Sequence, residues 1–349
     1  MALQETTLFT PLEMGDLSIK NRIALAPMTR CRSHADGIPK QHNVDYYAQR
    51  ASAGLLITEA TVISEQGNGW AWAPKIYLPA HVEGWKKVTD AVHQKDGKIF
   101  CQLWHMGRVT HSSYHGLTPV GPSAIVANGE GALGADFEKH PYEVPKEMTK
   151  DDIKQAIDEF RTAAACAKEA GFDGIEVHGA NGYGIDIWLQ SKTNHRTDEY
   201  GGNKENRYRF LKEILEAVLE VWPANRVAVR LSPNGVFNDV GSADNHETFG
   251  YIVGELNKFG LGYLHLIDGL GFGFHGLGKQ FTLYDARLAG YRGIIMGSTG
   301  YTKDTATGAI GTGVVDMIAI GRPYMSNPDL VERYQNDWPL APLPAYPHW

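Results

Sequence analysis

Short apolar runs recur along the chain and alternate with longer stretches that have helical or loop character. Eight of these runs have the length expected of buried strands: 22–28, 55–60, 98–105, 174–180, 226–232, 262–268, 293–300 and 317–323. Candidate helices lie near 42–53, 80–96, 150–170, 203–222, 244–259, 302–312 and 326–336. Eight strands that alternate with helices predict a parallel sheet.

Polar side chains at the ends of these runs favour a closed barrel over an open doubly wound sheet. Gln102 lies in the third run, His178 and Asn181 lie at the end of the fourth, and Arg230 lies in the fifth. In a barrel these carboxyl ends share one face and converge on one ligand, whereas an open sheet spreads them along an edge. We therefore predict an α/β fold, a (β/α)8 TIM barrel.

Two further features refine this fold prediction. The residues at 149–152 have the character of a capping box, and they precede an amphipathic run that ends at 170–171. The stretch 111–147 follows the third strand and is rich in Gly and Pro, which predicts a loop or hairpin excursion over the site. The whole chain, 1–349, is predicted to form a single domain, because barrels of this type absorb such lengths.

Charge and cysteine content exclude several classes of protein. The net charge is −7 and no Lys/Arg run is longer than a pair, which argues against binding to nucleic acid or an acidic membrane. The three cysteines are odd in number and far apart, which is typical of a reducing compartment. The N-terminus lacks the pattern of a signal peptide, and no apolar run approaches the ~20 residues of a membrane span. We expect a cytoplasmic protein.

The densest group of candidate catalytic residues is His178, Asn181 and Tyr183, after the fourth strand. His178 and Asn181 are separated by glycine and alanine, so both side chains can turn toward one point and hydrogen-bond a carbonyl oxygen. Such donors stabilise the negative charge that this oxygen gains when a hydride adds to a conjugated system. Tyr183 adds a phenol that can deliver a proton.

Other patterns in the sequence carry less weight. The stretch 271–276 formally matches G-x-G-x-x-G, but no helical pattern follows it directly, and we interpret it as a loop at the barrel mouth. His105, His111 and His115 have no acidic or thiol partner at ligand spacing, so no metal site is predicted. Asp186 and Asp198 lie near the candidate site, but a lone carboxylate is more often a cap or an ion-pair partner, and neither is assigned to catalysis.

Motifs over nearly the whole chain resemble those of the old yellow enzyme family, the FMN-dependent ene reductases. In chain order they are LFTPL at 8–12, KNRIALAPMT at 20–29, QLWHMGR at 102–108, HGANGY at 178–183, NHRTDEYGG at 194–202, ENR at 205–207, GRP at 321–323 and NPDL at 327–330. Each motif is modest by itself, but the order and spacing of the set are highly specific.

The resemblance implies a non-covalently bound FMN that is reduced by NADPH or NADH. Pro27, Met28, Thr29 and Ala60 are then expected to line the flavin, Gln102 to bond its pyrimidine edge, Arg230 to place positive charge near its N1 side, and Thr299, Gly300, Gly321 and Arg322 to hold its phosphate. The partners expected are small-molecule activated alkenes, and the chain is expected to be a monomer or homodimer.

The resemblance also implies roles around the substrate. His178 and Asn181 would hold its carbonyl oxygen, Tyr183 would protonate the α-carbon after hydride reaches the β-carbon, and Trp104 would shape the pocket. Trp70 stands where the family often has a Tyr that lines the pocket. The C-terminus also departs from the family pattern, and whether Tyr346 reaches the active site is open.

The sequence therefore predicts an NAD(P)H-dependent ene reductase acting on α,β-unsaturated carbonyl compounds or nitroalkenes. Two other classes remain. One is a flavin-free, metal-dependent barrel aldolase or isomerase with His105 and His178 as ligands. The other is a barrel that binds ligands without turnover, against which the intact Tyr183 and Arg230 argue.

Overall fold

Eight parallel strands form a closed barrel in the computed structural model, which describes residues 6–271 and 273–343. The strands are β1 Ile23–Leu25, β2 Leu55–Ile57, β3 Ile99–Trp104, β4 Gly174–Gly179, β5 Val227–Leu231, β6 Tyr263–Ile267, β7 Ile295–Ser298 and β8 Met317–Ile320. Each strand pairs in parallel with the next, and β8 pairs with β1, which closes the ring. The predicted (β/α)8 barrel is thus confirmed, with each strand inside its predicted run.

The helices follow the strands around the outside of the barrel. They are α1 Gln41–Ala48, α2 Pro79–His93, α3 Lys150–Glu169, α4 Lys204–Leu219, α5 Asn245–Leu256, α6 Leu283–Leu288, α7 Lys303–Gly311 and α8 Leu330–Asn336. Helix α3 begins with the predicted capping box, in which the Thr149 hydroxyl accepts the Asp152 N–H at 3.2 Å. Among the described residues, no helix has both the length and the apolar character needed to cross a membrane.

One helix was not predicted, and one predicted helix begins later than expected. Helix α6 was missed because it has only six residues and follows a glycine-rich loop, although Thr282 caps it by accepting the Asp285 N–H at 3.2 Å. The predicted helix near 326–336 is confirmed by α8, which begins at Leu330 rather than near 326, and a separate short helix, Arg322–Ser326, precedes it. Pro328 explains the break, because a proline disfavours helical backbone at the residue before it.

The buried apolar side chains form three clusters, one outside the ring of strands and one at each end of the barrel. The largest lies between the strands and the surrounding helices. A second fills the amino-terminal end of the barrel interior, where a hairpin of Leu12–Met14 and Leu17–Ile19 packs against residues such as Phe100 and Tyr263. The third lies at the carboxyl-terminal mouth. The amino-terminal end is therefore filled, and the mouth is left for a ligand.

The segment between β3 and α3 forms the predicted excursion. Within it, Val120–Gly121 pairs in parallel with Lys146–Glu147. Between them Ala132–Leu133 pairs in antiparallel fashion with Lys139–His140 to make a hairpin. Because this segment follows the carboxyl end of β3, it lies on the same face as the candidate catalytic residues.

We expect the cluster between strands and helices to dominate the stability of the barrel. Leu211→Ala removes a fully buried side chain from α4, and should lower the free energy of unfolding by about 2–5 kcal/mol through lost burial and the cavity left behind. Leu288→Ala, at an exposed position of α6, is the matched control and should change it by less than about 0.5 kcal/mol. Equal melting temperatures for the two variants would contradict this picture of the core.

Candidate active site

The sequence-predicted catalytic residues come together at the carboxyl-terminal mouth of the barrel. His178 is in β4, and Asn181 and Tyr183 follow it in the turn before a short helix, Asp186–Leu189. Ala60 and Trp104 belong to the apolar cluster of the mouth, and Trp70 and Tyr183 pack against this cluster. Two substrate-pocket candidates, one flavin-lining candidate and one catalytic candidate therefore share one wall.

Three aromatic rings set the shape of this wall. The Trp104 and His178 rings lie nearly parallel, with 6.4 Å between centroids and 17° between planes. The Tyr183 ring stands edge-on to both, at 5.0 Å from Trp104 and 5.4 Å from His178. The phenol and the imidazole thus border the same space.

His178 is a neutral hydrogen-bond donor. Burial, together with the nearby positive charge of Arg230, lowers the pKa of His178 to about 3. The Nδ1 atom of the ring accepts the backbone N–H of Ala180 at 3.3 Å. A neutral imidazole whose Nδ1 accepts must carry its proton on Nε2, so Nε2 is the atom that can donate to a ligand.

Asn181 is held in a left-handed turn by a buried carboxylate. Its φ is +59°, and its N–H donates to the Ser232 hydroxyl at 2.7 Å. That hydroxyl donates to Asp186, at 3.2 Å, and the Gly182 N–H donates to the same carboxylate oxygen at 2.8 Å. Burial raises the pKa of Asp186 to about 6. The side-chain oxygen of Asn181, a hydrogen-bond acceptor, is buried without a partner among the described residues.

Tyr183 is a buried phenol that stays protonated at neutral pH. Burial raises its pKa well above the ordinary value, although hydrogen bonding to Asn238 and Trp70 acts in the opposite direction. Asn238 also donates from Nδ2 to the backbone oxygen of Asn181, at 2.8 Å. Sequence reasoning missed Asn238, because the loop after β5 carries no motif that brings it to the turn after β4.

A second polar group lies inside the barrel and connects four strands. Gln102 donates from Nε2 to Glu176 at 2.7 Å, and Glu176 contacts Nδ1 of His265 at 2.9 Å. Arg230 is a strand partner of both His178 and His265, and its Nε has no partner among the described residues. Gln102 and Arg230 were predicted from the sequence. Glu176 and His265 were missed, and the signal was an acidic and a basic residue inside otherwise apolar strands.

The candidate phosphate residues lie at adjacent strand ends. Thr299 and Gly300 follow β7 with φ values of +86° and +87°, and Gly321 and Arg322 follow β8. A side chain on Gly300 would meet nothing within 4 Å, so this backbone is open to a ligand. Strand β8 neighbours β1, after which Pro27, Met28 and Thr29 are half-buried. The residues present fit a flavin with its phosphate toward β7 and β8.

The remaining sequence patterns stay outside this arrangement. Residues 271 and 273–281 carry no helix, and α6 begins only at Leu283, in keeping with the interpretation of 271–276 as a loop. Within the part of the chain that the structure describes, no three His, Cys, Asp or Glu side chains gather as for a metal ion. Asp198 pairs with Arg196 at 2.6 Å. Tyr346 lies outside the described residues.

The closed barrel and the polar residues at its mouth together indicate a class of protein, the barrel oxidoreductases that bind a flavin. The model of the NADH:flavin oxidoreductase / NADH oxidase family matches residues 7–341. A putative 12-oxophytodienoate reductase 11 of Oryza sativa subsp. japonica is 39% identical over 95% of this chain and 91% of its own length. The 12-oxophytodienoate reductase 2 of Arabidopsis thaliana is 38% identical over 97% and 91%.

Solved structures give the same result. The old yellow enzyme homologue of Zymomonas mobilis superposes with a TM-score of 0.91 at 41% identity, covering 96% of this chain and 94% of the other. Morphinone reductase has a TM-score of 0.91 at 38% identity, covering 98% and 92%. A morphinone reductase structure also holds tetrahydroNAD. The chain belongs to the old yellow enzyme family, and it is an FMN-dependent oxidoreductase reduced by NADH or NADPH.

The tautomer of His178 is directly testable. Nitrogen NMR of the imidazole, assigned with His178→Asn, should show a neutral ring protonated at Nε2 throughout the range of about pH 5–8. The pKa of this histidine is the ordinary 6.5 in the unfolded chain and about 3 in the folded chain. The unfolded chain therefore binds the proton first, and His178 should make the protein less stable as the pH falls from 6.5 toward 3. A His178 titration near pH 6.5 would contradict the assignment.

Proposed function

We propose that the chain reduces the carbon–carbon double bond of activated alkenes, namely α,β-unsaturated carbonyl compounds and nitroalkenes. The observation that carries this proposal is the convergence of two hydrogen-bond donors and a protonated phenol, with the His178 and Tyr183 rings 5.4 Å apart. This arrangement is suited to an oxygen that gains negative charge and a carbon that needs a proton.

His178 and Asn181 act on the oxygen of the substrate. The Nε2–H of His178 and the side-chain amide of Asn181 donate to the carbonyl or nitro oxygen and stabilise the charge that develops there. Their orientation is fixed before the substrate arrives, by Ala180 for the ring and by Ser232 for the turn. Donors that need no reorganisation are the most effective in a water-poor site.

Tyr183 delivers the proton to the α-carbon. Burial keeps its hydroxyl protonated at neutral pH, so the proton is available once negative charge has moved onto the substrate. A basic carbanion-like carbon is a sufficient acceptor for a phenol of raised pKa. The hydroxyl is hydrogen-bonded to Asn238 and Trp70, which limits its rotation and aims the proton.

FMN, when bound, supplies the hydride that it has taken from NADH or NADPH. Gln102 and Arg230 would face it from the barrel interior, Pro27, Met28, Thr29 and Ala60 would border it, and Thr299, Gly300, Gly321 and Arg322 would hold its phosphate. The unpartnered Nε of Arg230 and the open backbone at Gly300 support this placement within the described part of the chain. Trp70 and Trp104 border the substrate and restrict its size.

The relatives are in keeping with this substrate class. Their names describe reductases of 12-oxophytodienoate and of morphinone, and both names denote a carbonyl-bearing compound.

The first experiment is the absorption spectrum of the purified protein before and after anaerobic NADPH, followed by addition of cyclohexenone. Bleaching by NADPH and recovery by the enone are expected. If the enone does not restore the absorption of the oxidised flavin, the protein is a flavin oxidoreductase that uses a different electron acceptor.

Tyr183→Phe should separate the two half-reactions. Reoxidation of the reduced enzyme by cyclohexenone should slow by about 10²–10⁴-fold, because the proton donor is lost, whereas reduction by NADPH should be unchanged. Stopped-flow absorbance of each half-reaction provides the measurement. Tyr208→Phe removes from α4 a buried hydroxyl that has no partner among the described residues, and as the control it should match the wild type in both. Equal slowing of both half-reactions would argue against proton donation.

Arg322→Ala should reveal the phosphate site. The variant should bind FMN about 10- to 100-fold more weakly, the usual value of a charge-assisted hydrogen bond, and bind riboflavin, which lacks the phosphate, as the wild type does. Fluorescence titration of the apoprotein measures both constants. Arg292→Ala removes an exposed arginine before β7 and serves as the charge-matched control. An equal loss of affinity for FMN and riboflavin would place the phosphate elsewhere.

A further inference from the structure

Glu176 is an ionised carboxylate enclosed in the barrel interior. It lies in the middle of β4, is fully buried, and is the strand partner of Gln102 in β3. Burial disfavours its charge, yet the hydrogen bond from His265 and the positive charge of Arg230 hold its pKa below the ordinary value. A buried charge is costly unless it is paired, so this carboxylate calls for an explanation that the reaction at Tyr183 does not give.

The partners of Glu176 face it from three other strands. Gln102 of β3 donates to one carboxylate oxygen at 2.7 Å, and His265 of β6 contacts the other at 2.9 Å. Arg230 of β5 supplies the positive charge, and Tyr263 of β6 also lies close. Burial lowers the pKa of His265, so we assign a neutral ring that donates from Nδ1.

We propose that Glu176 is a positioning residue that sets the reduction potential of the flavin, by fixing the amide of Gln102 and by offsetting the charge of Arg230. The proposal rests on the flavin-facing roles of Gln102 and Arg230 given above. Glu176 itself need not touch the cofactor. It acts through two side chains that do.

The first effect is on the orientation of Gln102. An amide can present either its oxygen or its nitrogen to a ligand, and the Glu176 carboxylate accepts only from the nitrogen. The bond at 2.7 Å therefore fixes which way the amide points. The Gln102 oxygen and its second N–H remain for the pyrimidine edge, where a flavin offers an N–H donor beside a carbonyl acceptor.

The second effect is on the net charge beneath the cofactor. Arg230 alone would place a full positive charge in a medium of low dielectric constant, and would strongly favour the negative charge that a flavin gains on reduction. The Glu176 carboxylate neutralises part of this field. The network thereby keeps the reduced flavin from becoming too stable to give its hydride to an alkene.

Two substitutions separate these effects. Glu176→Gln removes the charge and keeps the shape, and should raise the preference for reduced over oxidised FMN at least about tenfold, which is about 30 mV for a two-electron couple. Glu176→Asp keeps the charge but shortens the side chain, and should weaken FMN binding with a smaller change in potential. Equilibrium titration against a redox dye gives the potential, and fluorescence quenching of FMN by the apoprotein gives the affinity.

The control is Asp316→Asn, which removes the carboxylate paired with Arg287 at 2.7 Å, before β8 and away from the mouth. Asp316→Asn should change neither the reduction potential of the bound FMN nor the affinity of the protein for FMN. A Glu176→Gln protein that binds FMN at the wild-type potential overturns the proposal. Thermal unfolding of the apoprotein shows whether that variant folds. If it does not fold, the Glu176→Asp variant becomes the test, and the proposal is overturned if this variant binds FMN as tightly as the wild type does. If Gln102→Ala or Arg230→Lys leaves both the affinity for FMN and the reduction potential of FMN unchanged, the flavin-facing roles of Gln102 and Arg230 are refuted instead.

Discussion

The parallel pairing of β3 with β4 is the interaction on which the rest of the site depends. It pairs Gly174 with Phe100 at one end and Val177 with Leu103 at the other, and so aligns two strands that are far apart along the chain. One residue of slip would turn every inward side chain outward. The correct register places Glu176 beside Gln102 and puts His178 at the mouth. The same pairing anchors the start and the end of the excursion between the two strands.

Much of the fold and of the site could be predicted from the sequence, for reasons that particular residues make plain. The strands were visible because buried parallel strands are continuous apolar runs, and α3 because Thr149 and Asp152 mark its start. His178, Asn181 and Tyr183 were visible because they are neighbours in one segment. Their meeting at the mouth, and the old yellow enzyme family, are confirmed, whereas the roles of the individual residues remain predictions.

What the sequence could not give depends on contacts between distant segments. Asn238 reaches the backbone of Asn181 from 57 residues away, and His265 reaches Glu176 from 89 residues away. Neither contact has a local pattern. The acid at Glu176 stands out in its apolar run, but a lone acid gives no information about which side chains face it from the neighbouring strands. Helix α6 was missed for the opposite reason, since its signal is local but only six residues long.

The excursion over the mouth has a consequence for how such a protein can be remodelled. Within it, Val120–Gly121 pairs with Lys146–Glu147, so the stretch between these two segments begins and ends at one place. We therefore expect the hairpin between these paired segments to tolerate changes in length without a change in the register of β3 and β4. Loop closure becomes only slightly more costly with length. We expect differences in acceptor range to be concentrated in this segment, because it lies over the mouth of the barrel.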